Sequence, residues 1–352
     1  MNLIKNSLYN TELKSVISAM DLSFLENKTI LITGAYGMIG SCIVDSLMLW
    51  NAEQKNPCTI IAIGRNVTRA KERFKEYFDS KFFKFYCHDI CDCMNDIDVK
   101  IDYIIHAASN ADPLSIIKNP VDTLLTNILG TDNLLKYGVK HGLKRFMYVS
   151  SGEMYGQPDI KVNDFVENYS GYIDYSDVRS CYPVGKRAAE VLCQSYIKQF
   201  GIDSVIVRPC HIFGPTMTKK DSRAVSEFFR NVVNNEDIVL KSDGMLERSH
   251  CYVIDAVKAI FIVLKNGICG EAYNIADKNY QMTIKDFAIR VAEAGKNKIN
   301  FAVPNNIEAR GYSKVKRAVL DANKLEKLGW KTDWDKDKIK ETIDILKLQN
   351  ME

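Results

Sequence analysis

The chain of 352 residues has no apolar run long enough to cross a bilayer, which argues against a helical membrane span. Met1 to Lys28 mixes polar and apolar residues without a continuous apolar core, so no signal peptide is expected. There is no basic tract and no platform of interleaved aromatics, and the net charge of +3 is spread along the sequence. Nucleic acid is therefore not expected as a partner. Internal repeats and low-complexity segments are absent. The five histidines show no metal-ligand spacing, and Cys91-x-Cys93 is not the spacing of a zinc or thioredoxin site. The ten cysteines are scattered among apparent strands and helices, which suits free thiols in a reducing cytoplasm.

What remains is an ordinary globular composition, 46% hydrophobic and 26% charged, long enough for one large domain or two closely associated ones. The first half alternates β-rich runs with helical ones, the pattern of a parallel sheet covered by helices. Strands are predicted at Thr29–Thr33, Thr59–Ile63, Lys84–Cys87, Tyr103–Ala107, Arg145–Ser150 and Ser204–Arg208. Helices are predicted at Ser41–Trp50, Val121–Tyr137 and Tyr182–Phe200, the last ended by Gly201.

After Gly214-Pro215 the alternation stops. Helices at Ala224–Val233, Val253–Lys265 and Ile284–Ala294 fall between short strands at Ile238–Leu240, Ala272–Ile275 and Ile299–Ala302. The fold class is α/β: a Rossmann-type doubly wound parallel sheet with a smaller C-terminal α/β substrate-binding lobe. The expected division is an N-terminal extension over 1–27, a dinucleotide-binding domain over 28–214, and a lobe mainly over 215–345 with an interleaved boundary.

Thr33-Gly34-Ala35-Tyr36-Gly37-Met38-Ile39-Gly40 ends a strand and opens a helix, the context in which a glycine fingerprint binds a pyrophosphate. Gly34 permits the tight turn, Gly37 the approach of the phosphates, and Gly40 close helix–strand packing. The next strand ends Ile63-Gly64-Arg65-Asn66, without the acidic residue that usually takes the ribose hydroxyls of NAD. Arg65 could pair with the 2′-phosphate of NADP, stack on adenine or point into solvent. Asp89 and Ile90 could bracket the adenine, and Ala107-Ala108 lets the backbone pass close to the cofactor.

Tyr182 and Lys186 stand four apart on a predicted helix and so share a face. A lysine charge beside the phenol favours the phenolate, making Tyr182 a candidate general base. A tyrosine base beside a dinucleotide fold suggests hydride transfer at a carbon bearing a hydroxyl. Taken alone, Tyr-x-x-x-Lys is also an ordinary exposed helix pair.

The markers together are specific. With the glycine turn stand His106-Ala107-Ala108, Thr126-Asn127-Ile128-Leu129-Gly130-Thr131, Ser151-x-Glu153-x-Tyr155-Gly156, Tyr182-x-x-x-Lys186 and Arg208-Pro209-x-x-x-x-Gly214-Pro215. From about Lys28 to Trp330 the chain resembles an extended short-chain dehydrogenase/reductase of the nucleotide-sugar epimerase/dehydratase/decarboxylase group. Arg179-Ser180-Cys181-Tyr182, Asp221-Ser222-Arg223-Ala224-Val225-Ser226 and Glu247-Arg248-Ser249-His250-Cys251-Tyr252-Val253 look most like UDP-glucuronate decarboxylase.

The resemblance implies NAD as cofactor, a nucleotide-diphosphate sugar as substrate and a 4-keto sugar as intermediate. Ser151 would bond the sugar O4, Tyr182 would take its proton, and Lys186 would hold the nicotinamide ribose. Gly34, Tyr36, Gly37, Met38, Ile39, Gly40, Arg65, Asp89, Ile90, Ala107, Ala108, Asn127 and Pro209 would line the cofactor. Ser109, Asn110, Glu153, His211, Arg223, Arg248 and Arg317 would meet the substrate, with Arg248 and Arg317 on the diphosphate. In this family two helices pair to form a homodimer, here Val121–Tyr137 and Tyr182–Phe200.

Gly152-Glu153 bears on the reaction. A 4,6-dehydratase typically carries Asp-Glu there, and the missing acid counts against dehydration. A C5 carboxylate next to a C4 ketone can leave as CO₂ without it, with Glu153 holding the sugar. A 4-epimerase needs neither residue, and Glu153 could also be a solvated loop carboxylate. Pro183-Val184, His211 and the Ser109-Asn110-Ala111-Asp112-Pro113 run depart from the decarboxylase pattern, which bears on the sugar and nucleotide. Tyr36 and Tyr155 suit packing, His88, His106 and His141 packing or the surface, Asn127 a buried turn or a bound water, and any single arginine a surface ion pair. A non-catalytic dinucleotide-binding protein on the same fold is the alternative of a different class.

Overall fold

The computed structural model describes residues 3–351, apart from 95–96, 98, 160–161, 303–312, 314 and 333–335. Part of the predicted C-terminal lobe thus lies outside the described residues. Apolar, largely β-branched runs form the first strands: β1 (Thr29–Thr33), β2 (Thr59–Gly64), β3 (Phe83–Cys87), β4 (Tyr103–His106), β5 (Arg145–Val149) and β6 (Ser204–Pro209). Then come β7 (His211–Phe213), β8 (Ile238–Leu240), β9 (Glu247–Tyr252), β10 (Ala272–Ile275), β11 (Asp277–Thr283), β12 (Ile299–Phe301) and β13 (Arg317–Ala318).

The helices are α1 (Ser7–Ser18), α2 (Met38–Asn51), α3 (Val67–Arg73), α4 (Pro113–Lys118), α5 (Pro120–His141) and α6 (Cys181–Phe200). They continue as α7 (Ala224–Val233), α8 (Val253–Asn266), α9 (Ile284–Gly295), α10 (Asn323–Glu326) and α11 (Lys338–Met351). Among the described residues no helix is long and apolar enough to cross a membrane.

Seven parallel strands make the central sheet in the order β10-β6-β5-β4-β1-β2-β3. Both faces are buried, so the strands read as continuous apolar runs. Ile30 and Ile32 face one core, with Cys42 and Leu47 of α2 and Ile260 of α8. Leu31 faces the other, with Leu134 of α5 and Cys193 of α6. The strand order reverses between β1 and β4, which opens the ligand crevice at their carboxyl ends. This is the doubly wound sheet expected from the sequence.

Two placements bear on the expected division of the chain. Ala272–Ile275 is a strand as predicted, but it pairs with β6 as the edge of the central sheet, and α8 packs beside it. Residues 3–27 pack against the rest of the chain. The Tyr9 hydroxyl donates to buried Asp45 at 2.9 Å, and Asn6 Nδ2 donates to the carbonyl of Ile345 at 3.0 Å. Glu12 accepts from Tyr252 at 2.6 Å and pairs with Lys338 at 2.7 Å, so α1 is stapled to the end of β9 and to α11.

The smaller lobe is built on β9, which pairs with β7, β11 and β13, and on the parallel pair β8–β12. Helices α7 and α9 cover it around Phe213, Phe229 and Phe287, whose rings lie 5.3–6.2 Å apart. It stands over the carboxyl ends of β5 and β6, so that Ser151, after β5, and Arg248, on β9, face one crevice.

Candidate active site

The turn from β1 into α2 is tight enough to exclude side chains. Gly34 has φ +64, and a Cβ there would lie 2.8 Å from Ala107 and Ala108 backbone atoms. A Cβ on Gly40 would lie 2.3 Å from the Gly34 carbonyl oxygen. Ala107 and Ala108 therefore pass against the turn, and the Thr33 hydroxyl fixes them by accepting from Ala108 N at 3.2 Å while bonding His106 Nδ1 at 2.8 Å. No acidic residue occupies the first turn of α2, whose unpaired N–H groups around Met38, Ile39 and Gly40 present partial positive charge.

A segment of the lobe reaches over this turn. Thr216 donates to the Met38 carbonyl at 2.9 Å, and the Arg223 guanidinium lies 4.0 Å from Met38 Sδ. Asp112, after β4, accepts from both the backbone and the hydroxyl of Ser222, each at 2.7 Å. Asp221 in turn holds Arg223, whose Nε lies 2.9 Å from it.

Tyr182 and Lys186 share one face of α6, and both are buried, at 5% and 2% exposure. Lys186 Nζ donates to the Val149 carbonyl at 2.8 Å and lies 4.9 Å and 5.8 Å from the ring centroids of Tyr148 and Tyr182. Burial pushes the Tyr182 phenol up to about 12, with Glu153 adding to it. A hydrogen bond with the Ser151 hydroxyl and the charges of Arg223 and Arg179 work against that rise. Burial also draws Lys186 down to about 7, Glu190 opposing it only in part. Depth, which spacing on a helix does not convey, acts against the charged form of both side chains.

Ser151 follows β5, and its Oγ accepts from Glu153 N at 3.2 Å, capping the short 3-10 turn Gly152–Tyr155. Glu153 is not a free loop carboxylate. Arg179 donates to both of its oxygens, at 2.8 Å and 3.1 Å. An added Cβ on Gly152 would lie 3.0 Å from Leu320 Cδ2, so an acidic side chain at this position would press on the β13 side of the crevice.

Arg248 on β9 is 3% exposed, and among the described residues it donates to carbonyls, those of Glu247 at 2.8 Å, Lys316 at 3.2 Å and Val315 at 2.6 Å. Burial lowers it to about 10, with Glu153 opposing and Arg179 assisting. His211 lies among these arginines. Burial, then Arg248, holds its imidazole well below the ordinary value, so it stays neutral at physiological pH. Beside Tyr182 stand Arg179, paired with Glu153, Arg223, paired with Asp221, and Arg248, whose charge also acts on Glu153, so that Arg248 is the buried guanidinium left to suit an anion.

Other expected residues have local duties. Arg317 pairs with Asp164 and Glu247, each at 2.9 Å, as a partly exposed ion pair would. Asn127 accepts from Ser109 at 3.1 Å and Tyr148 at 3.2 Å and donates to Thr123 at 2.8 Å, which fixes Ser109 beside the site. The Ile90 side chain turns into the core with Leu134 and Leu135, and its carbonyl accepts from Asn133 at 3.0 Å. Pro209 ends β6 in register with Ile275. Asn110 is half-buried in the loop that leads to Asp112.

Tyr36 spans the carboxyl ends of β1 and β2, its hydroxyl accepting from Arg65 N at 3.1 Å. Asp89 meets Arg65 at 3.5 Å. Tyr155 packs on Phe165 at 4.9 Å, a structural role. Arg179, Tyr148, Thr33 and Asp112 had no role assigned from sequence. Arg179 stood in a run already singled out, but its partner lies 26 residues away, a separation that pattern alone does not bridge.

The donors fit a nicotinamide dinucleotide. Helix α2 offers free N–H groups above a glycine turn, and Lys186 uses one of its three donors on Val149, leaving two for a ribose diol. Among the described residues no group of three or more His, Cys, Asp or Glu is placed to hold a metal ion.

Comparison with known proteins agrees with this arrangement. A UDP-glucuronic acid decarboxylase of Arabidopsis thaliana is 33% identical over 283 residues, 80% of this chain and 79% of that protein. Another from the same plant is 32% identical over 305 residues, 86% of this chain and 84% of its own length. Among solved structures, a dTDP-glucose 4,6-dehydratase from Streptomyces venezuelae with NAD bound superposes with a TM-score of 0.77 at 22% identity, covering 92% of this chain and 98% of that one. A UDP-glucuronic acid 4-epimerase from Bacillus cereus, with UDP-glucuronic acid and NAD, gives 0.74 at 23% identity, covering 91% and 99%. The description "NAD dependent epimerase/dehydratase family" matches residues 30–276, and the chain belongs to that family.

Proposed function

We propose that the protein oxidises a nucleotide-diphosphate sugar at C4 and that its substrate is a UDP-uronate, decarboxylated in the manner of UDP-glucuronate decarboxylase. The observation that carries this reading is the buried guanidinium of Arg248 near Glu153, beside a residue, Gly152, that offers no acid. Arg248, whose partners among the described residues are carbonyls, suits the negative charge of a sugar carboxylate or diphosphate. The decarboxylase relatives support the same choice.

Bound NAD⁺ supplies the hydride acceptor, and its positive ring adds a charge that favours the Tyr182 phenolate. Tyr182 takes the proton of the C4 hydroxyl, which Ser151 orients. Lys186 holds its two remaining donors toward the cofactor ribose. Once C4 is a ketone, the C5 carboxylate belongs to a β-keto acid; the bond to the carboxyl carbon breaks and its electrons move onto O4. Ser151 and the protonated Tyr182 stand where that oxyanion develops. Glu153, gripped by Arg179, holds the sugar ring while C5 is protonated.

Two helices support a homodimer. Val121, Leu125 and Leu129, four apart on α5, are 66%, 40% and 41% exposed, and Val191 on the adjacent α6 is 62% exposed. All ten cysteines are unpaired, which supports a reducing compartment, the cytoplasm.

The test is incubation of the purified protein with UDP-glucuronate and NAD⁺, followed by mass spectrometry and CO₂ measurement. A UDP-pentose or UDP-4-keto-pentose with released CO₂ is expected. UDP-galacturonate would assign the protein to the 4-epimerases, and dehydration of a dTDP-hexose instead would assign it to the 4,6-dehydratases.

A further inference from the structure

Where the second strand of this sheet ends, a dinucleotide presents the 2′ position of its adenosine ribose. A carboxylate there accepts from the ribose hydroxyls and repels a 2′-phosphate. Here β2 ends in Gly64, and the side chain that follows is the guanidinium of Arg65, 57% exposed. A guanidinium has five donors and no acceptor, so it cannot take the hydroxyl hydrogens, but it matches a phosphate in both charge and geometry.

The surroundings hold Arg65 in that position. The Tyr36 hydroxyl, from the glycine turn, accepts from Arg65 N at 3.1 Å and ties the end of β2 to the cofactor turn. A second guanidinium, that of Arg69, lies 4.8 Å above the Tyr36 ring, and Arg69 N donates to Asn66 Oδ1 at 2.8 Å. Two arginines therefore flank one tyrosine at the mouth of the site. Opposite stands Asp89, 3.5 Å from Arg65 and accepting from Cys91 N at 3.0 Å. That ion pair is exposed on both sides, of the kind that contributes little and opens readily. A dianionic phosphate bound by a guanidinium fork is the stronger contact.

We propose that this site accepts the 2′-phosphorylated dinucleotide, NADP(H), at least as well as NAD(H), with Arg65 as the residue that admits the 2′-phosphate and Arg69 as its support. The inference rests on the reading of the β1–α2 turn as a dinucleotide site.

Titration calorimetry of the full chain with NADP⁺ and with NAD⁺ tests it. The Kd for NADP⁺ is expected to be no larger than that for NAD⁺. Arg65→Ala is expected to weaken NADP⁺ at least tenfold more than it weakens NAD⁺, and Arg65→Glu to abolish NADP⁺ binding while NAD⁺ still binds. Arg65 is exposed, so an unchanged melting temperature is the check that the variants fold. A larger Kd for NADP⁺ than for NAD⁺, or equal losses in Arg65→Ala, overturns the inference and leaves the dinucleotide site standing. Binding of neither nucleotide contradicts the dinucleotide site itself.

Discussion

Arg179 holds Glu153 through both carboxylate oxygens, at 2.8 Å and 3.1 Å, across 26 residues of sequence. The pair joins the loop after β5 to the entry of α6, two segments that carry Ser151 and Tyr182. If Glu153 holds the sugar as proposed, Arg179 is the residue that positions it.

Arg179→Ala is expected to lower kcat by roughly 10–100-fold with a smaller change in KM, since a misplaced group close to the chemistry costs on that scale. Added guanidinium should restore part of the loss, because it replaces the missing fork. A fall confined to stability, with kcat intact, would leave Arg179 a structural residue. Steady-state kinetics with and without guanidinium decide it.

Lys186 lies buried, with burial drawing it from an ordinary 10.5 to about 7, and among the described residues it has no carboxylate within ion-pair distance. The unfolded chain binds the proton more tightly than the folded one. The resulting destabilisation is full below about pH 7 and fades as pH rises from there toward 10.5. Lys186→Met removes a buried charge, so the variant is expected to be inactive yet more stable at neutral pH, by roughly 2 °C or more in Tm. Its Tm should also lose the rise that the native protein shows above neutrality. Thermal melts of both proteins between pH 6 and about 10 check the sign.

The bonds from Ser222 to Asp112 close the lobe segment over the glycine turn. Each hydrogen bond to a charged group contributes about 1.5–3 kcal/mol. Asp112→Ala is expected to speed dinucleotide release by roughly tenfold or more, and Ser222→Ala, which keeps the backbone bond, by less. Stopped-flow displacement of the bound nucleotide gives the rates. Equal rates in all three proteins would remove the segment from cofactor retention.

The apolar stripe of α5 calls for a partner. Light scattering is expected to give twice the chain mass for the native protein and the chain mass for the double variant Leu125→Arg with Leu129→Arg. A native monomer would contradict the two-helix dimer.

Much of this was legible in the sequence, for physical reasons that mark its limits. Thr29–Thr33 and Ser204–Arg208 read as buried strands because a sheet covered on both faces favours runs of Val, Ile and Leu such as Ile30–Ile32 and Val205–Val207. The glycine spacing announced the turn because backbone atoms 2.8 Å from Gly34 leave no other residue possible. Ala272–Ile275 was readable as a strand, yet its partner β6 lies more than 60 residues earlier in the chain, and such pairing has no local signal. Likewise the spacing of Tyr182 and Lys186 gave their shared face. It did not give their depth, and depth sets both side chains' protonation. The role of residues 7–18 was hidden because an amphipathic helix does not name what it covers, here α2 and α8.

The most direct test of the account is the reaction of UDP-glucuronate with the protein and NAD⁺ in D₂O, with the product read by mass spectrometry and NMR. Decarboxylation through a C4 ketone leaves C5 to be protonated from solvent, so the expected product is a UDP-pentose or UDP-4-keto-pentose carrying deuterium at C5, with CO₂ released. UDP-galacturonate free of deuterium would contradict the account, since it requires only oxidation and return at C4.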